Sequence, residues 1–141
     1  MILNFKKIRQ KNKTNKKKTE LKNEELNIVY AAAIAAEEKK GEKVLLLNVS
    51  RLTVMADYFL IISTKSTTQI DAIAKYIEEK LSKLNQTLVS REGFLMSNWV
   101  ILDFGNLVVH IMGEKERSYY NLERFWSNAP LIDSKLWKKA S

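Results

Sequence analysis

The sequence predicts an α/β fold of the α+β kind, with helices packed on a five-stranded mixed sheet. Three observations carry this. Two segments repeat apolar residues at helical spacing, and short aliphatic runs of strand length lie around them. One pair of runs, "NWVILDFGNLVVHIM" at residues 98 to 112, flanks a glycine-containing turn. A strand–helix–strand crossover favours parallel neighbours, whereas a tight hairpin is antiparallel, so the sheet has to be mixed.

The predicted order is αββαβββα. Residues 23 to 41, "NEELNIVYAAAIAAEEKKG", form the first helix, with Asn23 as cap, Glu24 and Glu25 at the positive end, Lys39 and Lys40 at the negative end and Gly41 as terminator. Leu26, Val29, Tyr30, Ala33 and Ala36 make its apolar stripe. "VLLLNV" (44–49) and "YFLII" (58–62) read as buried strands. In "STKSTTQIDAIAKYIEEKLSKL" Ser66 and Gln69 have the spacing of a capping box, and Ile70, Ile73, Ala74, Ile77, Leu81 and Leu84 recur at helical spacing. Burying the five large aliphatic side chains is expected to contribute about 7 to 15 kcal/mol gross, before the cost of ordering. "TLVS" (87–90) is a third strand, the hairpin follows, and residues 114 to 127 form a last helix that Pro130 stops.

A two-residue hairpin loop, Phe104-Gly105 or Gly105-Asn106, pairs odd with even residues and sorts the faces the same way in either register. Val100, Leu102, Leu107, Val109 and Ile111 make one aliphatic side; Trp99, Ile101, Asp103, Val108, His110 and Met112 make the other. A three-residue loop would reverse the pairing of faces. The aliphatic side is core. The other stands open to two readings: a docking surface, or a covered face on which Asp103 and His110 find internal hydrogen-bond partners. An unperturbed imidazole titrates near pH 6.5, so His110 also suggests a pH switch.

Length and composition narrow the function classes. The 141 residues suit one domain, and the absence of cysteine excludes disulfides and thiolate metal sites. One histidine with scattered carboxylates is a poor metal set, so no metal or other cofactor is expected. The four glycines are dispersed and no glycine-flanked serine elbow occurs, which leaves neither a phosphate loop nor an activated nucleophile, and an enzyme is not expected. No run is long and apolar enough for a membrane span, and the chain is expected to be soluble and cytoplasmic.

Charge is unevenly placed. Residues 1 to 19 carry eight bases and no acid, and from Glu20 onward 16 bases meet 16 acids, so the net charge of +8 belongs to the amino-terminal segment. A basic tail over residues 1–20, disordered when free, is therefore expected ahead of a domain at 21–130 and a C-terminal tail at 131–141. Lys6, Lys7, Arg9, Lys16, Lys17 and Lys18 are candidate RNA contacts, because neutralising phosphates releases counterions without regard to sequence. A general RNA-binding protein acting through this tail is the alternative function; a solvated tail with no specific partner is the plainer reading.

The motifs "ADYFLIISTKST", "NWVILDFGNLVVHIM" and "ERSYYNLERFWSNAP", in that order, resemble the ribosomal silencing factor (Iojap) family over roughly residues 22 to 130. Asp57-Tyr58-Phe59, Trp99-Val100, Asp103, Gly105, Val109-His110, Tyr120, Leu122-Glu123 and Trp126 fall on the family's pattern. Lys65 and Asn48 depart from it, standing where glycine and aspartate are usual, and the lysine tail lies outside it. The resemblance implies a nucleotidyltransferase-like fold without that fold's catalytic motif. It further implies a non-enzymatic translation repressor that binds the large ribosomal subunit through its fourteenth protein, blocks joining of the small subunit and forms a homodimer when free. Trp99, Asp103, His110, Tyr120 and Glu123 are then the expected partner-binding residues.

Overall fold

The structure, a computed structural model, describes residues 2–93 and 96–138, with side chains described from residue 16 onward. Helix α1 spans Ile2–Glu38 and thus begins well before the expected Asn23 cap. The lysine-rich segment expected to be disordered continues the helix. Neither proline nor glycine interrupts residues 1 to 40, and lysine and glutamate tolerate helix well. At the other end Lys40 takes φ 63° and the Gly41 N–H donates to the Ala36 carbonyl at 2.8 Å. A Cβ on Gly41 would lie 2.7 Å from Ile62 Cγ2, so the close approach of helix to sheet requires glycine there.

Strands β1 (Glu42–Asn48), β2 (Tyr58–Thr64), β3 (Ser90–Glu92), β4 (Trp99–Asp103) and β5 (Leu107–Gly113) form one sheet in the order β1-β2-β5-β4-β3. Only β2 and β5 pair in parallel; the other three neighbours are antiparallel, giving the mixed sheet expected. Helix α2 (Thr67–Lys83) carries the crossover from β2 to the far edge, so the parallel neighbour of β2 is the second arm of the hairpin and not the next strand in sequence.

Strand alternation divides the apolar residues between two layers. Leu46, Leu60, Ile62, Val100, Leu102, Val109 and Ile111 face α1 and α2, and Ile70, Ile73, Ala74, Ile77 and Leu81 of α2 are fully buried against them. Leu84, expected to join that stripe, is the C-cap of α2 and is exposed. The capping box is half formed. Ser66 Oγ accepts from the Gln69 N–H at 3.2 Å, but the Gln69 amide donates to the carbonyls of Lys39 and Lys40 and joins the start of α2 to the end of α1.

Two sequence expectations shift. The third strand falls at Ser90–Glu92 and not at 87–90, because the partner residues in β4 are Ile101 to Asp103. Its Arg91 pairs with Asp71 and Glu78 of α2, each at 3.4 Å, which ties this polar edge strand down. The last helix breaks at Asn121 into α3 (Glu114–Tyr120) and α4 (Leu122–Phe125), since Asn121 is left-handed with φ 44°. Residues 131–138, expected as a tail, are part of the domain. Leu131 bridges Leu47, and α5 (Ser134–Lys138) buries Trp137, whose Nε1–H donates to Glu37 at 3.0 Å. The family departures act locally: Asn48 Oδ1 accepts from the Ser50 N–H, and Lys65 pairs with Glu42 at 3.5 Å.

Candidate protein-docking site

The hairpin closes through Gly105-Asn106. The Phe104 N–H donates to the Leu107 carbonyl at 2.9 Å and Gly105 takes φ 90°, a positive φ that glycine adopts without a Cβ clash. Trp99 therefore pairs with Met112, Ile101 with His110 and Asp103 with Val108. Tryptophan, aspartate and histidine share a face, as expected of a two-residue loop.

That face carries a row of rings from three elements, β2, α3 and α4, and from the hairpin's own strands. Tyr119 meets Tyr120 edge-on at 5.0 Å, Tyr120 meets Trp99 at 4.7 Å, and Trp99 meets His110 at 5.9 Å. Phe59 of β2 continues the row, edge-on to His110 at 5.4 Å and to Trp126 at 5.0 Å, and Trp126 meets Phe125 at 5.1 Å. Rings at these separations in edge and tilted geometry attract through their quadrupoles. The middle of the row is covered and its ends are open: Phe59 is 8% exposed and His110 9%, whereas Tyr119 is 82% and Phe125 77% exposed.

His110 is held neutral. The Trp99 indole N–H donates to His110 Nδ1 at 3.2 Å, which requires that nitrogen to be unprotonated, and burial lowers the imidazole pKa from 6.5 to about 4. Titration at physiological pH is thereby removed, and the pH-switch idea loses its basis.

Of the five expected partner-binding residues, Trp99, His110 and Tyr120 lie together in this row. Asp103 stands four residues along β4, roughly 13 Å away at about 3.3 Å per residue. Its Oδ1 accepts from the Gly105 N–H at 2.8 Å, so the carboxylate also braces the hairpin turn. Glu123 of α4 pairs with Arg117 of α3. Phe59, Tyr119, Phe125 and Trp126 complete the row. Phe59 and Trp126 match the family pattern, but their contacts depend on the β2–β5 pairing and on the break at Asn121.

Lys16, Lys17 and Lys18 are exposed on α1; the side chains of Lys6, Lys7 and Arg9 lie outside the described residues. Among the described residues, no group of three or more histidine and carboxylate side chains is placed to hold a metal ion, and no helix is long and apolar enough to cross a membrane.

A family model described as "Ribosomal silencing factor during starvation" matches residues 8–141, reaching into the lysine-rich segment and through α5. The chain is 40% identical to the ribosomal silencing factor of Bacillus subtilis over 107 residues, covering 76% of this chain and 91% of that one. A crystal structure of a Chromobacterium violaceum protein superposes with TM-score 0.69 at 32% identity, covering 71% of this chain and 83% of that one. The mouse protein named "Mitochondrial assembly of ribosomal large subunit protein 1" is 34% identical over 74 residues, half of this chain and 32% of that one. With the family model spanning nearly the whole chain and the order of motifs kept on a common fold, the chain belongs to the ribosomal silencing factor family.

Proposed function

We propose that this protein represses translation by docking the Trp99–Tyr120 side of its sheet on the large ribosomal subunit, at the subunit's fourteenth protein, where its body blocks joining of the small subunit. The observation that carries this reading is the row of rings with a packed middle and exposed ends. Exposed aromatic side chains clustered on one face are what a protein partner desolvates, and tryptophan and tyrosine are the usual anchors of such contacts. Asp103, half-buried on the same face, supplies charge to meet a basic ribosomal protein. The relative named for large-subunit assembly favours the same half of the ribosome. On this reading the scaffold is a nucleotidyltransferase-like sheet used for shape and not for chemistry, acting in the cytoplasm.

The test is to mix the purified protein with separated subunits on a gradient. It should pellet with large subunits only and lower the yield of whole ribosomes. Asp103→Asn removes the charge and keeps an acceptor for the Gly105 N–H, so it should melt normally yet pellet less; undiminished pelleting would remove Asp103 from the interface. The alternative, RNA binding through the basic segment, rests on eight bases carried on one helix. It predicts that deleting residues 1–19 abolishes association, whereas docking by the sheet face predicts a partial loss that is larger at low salt.

A further inference from the structure

Arg117 of α3 is only 8% exposed, an unusual place for a guanidinium. Its Nε–H donates to Glu123 Oε1 at the start of α4, and Nη2 donates to the Lys43 carbonyl of β1 at 2.8 Å. Among the described residues, Nη1 is buried with no hydrogen-bond partner. Backbone irregularities mark both places it reaches. Lys43 has φ 48° where the β1–β2 register shifts between Glu42 and Leu45, and Asn121, two residues before Glu123, has φ 44° at the α3–α4 corner. Non-glycine residues in this region cost energy and persist where their surroundings hold them.

The corner separates Tyr119 and Tyr120 from Phe125 and Trp126, so its angle sets the spacing between the two exposed ends of the ring row. Resting on the docking function above, we propose that Arg117 is a positioning residue of the docking surface and that Glu123 acts through Arg117, not by meeting a cation on the partner. Desolvation offsets much of a buried ion pair, and an orphan donor adds to that cost, so stability is a poor account of this arginine. Geometry is a better one. A guanidinium is a rigid planar fork, and this one joins α3, α4 and β1 at fixed directions.

A double-mutant cycle of Arg117→Met and Glu123→Gln tests this, read by pelleting on separated large subunits and by near-ultraviolet circular dichroism of the ring row. Each single variant should weaken association about tenfold and reduce the aromatic signal, and the double variant should be no weaker than Arg117→Met alone. Arg117→Lys retains the charge without the fork and should not rescue; full rescue would overturn the proposal. So would a further loss from Glu123→Gln in the Arg117→Met background, since Glu123 would then touch the partner directly. If the unaltered protein does not pellet with large subunits, the docking function fails instead. The dichroism cycle still decides the role of Arg117: four superimposable spectra overturn it, and a non-additive loss upholds it. Should Arg117→Met not fold, Arg117→Lys takes its place in the cycle.

Discussion

On one side of the β4–β5 hairpin, Val100, Leu102, Leu107, Val109 and Ile111 are at most 2% exposed; on the other, His110 and Met112 are buried while Trp99, Ile101, Asp103 and Val108 stay half-buried. The first side lies under two long helices. The second meets two helices of seven and four residues and the turns after them, which shield His110 and Met112 and leave Tyr119 and Phe125, the ends of the ring row, in solvent. Covering depth, then, separates the core side of the hairpin from the side proposed for docking. A face sealed by long helices returns stability from aliphatic burial, while a partly covered face keeps rings and acids available for a partner.

The comparison breaks most visibly through the sealed side. Ile111→Ala deletes fully buried volume and should cost about 2 to 5 kcal/mol, seen as a large fall in melting temperature. A small change would mean that this side is not the core. Next in size is the effect of pH on the covered middle of the open side. The His110 pKa is about 4 in the folded chain against 6.5 for a free imidazole, so as pH falls the unfolded state takes up its proton first. The stability involved is fully present above about pH 6.5 and is lost towards pH 4, roughly 3 kcal/mol in all at 1.36 kcal/mol per unit. Melting curves from pH 7.5 to 5, where most carboxylates stay ionised, should slope in the parent protein and flatten in His110→Gln. The smallest stability effect belongs to the exposed end. Phe125→Ala should shift stability by under about 0.5 kcal/mol yet weaken pelleting with large subunits, and a strongly destabilised variant would show that this ring belongs to the core.

Much of this was legible in the chain. The hairpin needed only Gly105 and alternation, and the sorting of Trp99, Asp103 and His110 onto one face followed from the pleat. The α2 stripe was legible for the same reason, up to Leu84, where the helix ends. Three features were not. Residues 131–138 looked like a tail because five helical residues carry too little periodic signal, yet Trp137 fills the core. Glu123 looked like a free acid because the arginine that engages it gives no sign of burial from its own neighbours in sequence. The lysine-rich segment showed its charge but not its backbone, since composition alone argued against order.

What the sequence by itself determined was local: which stretches are helix or strand, where the turn falls, and which neighbours share a face. Those properties have periods of 2 and about 3.6 residues and are decided within a few positions. Tertiary structure alone decided that β2 lies beside β5, placing Phe59 against His110, that Arg117 reaches Lys43 across 74 residues, and that Trp137 reaches Glu37 across 100. Such contacts depend on which surfaces bury each other once the whole chain has collapsed, and no short window of sequence contains both partners.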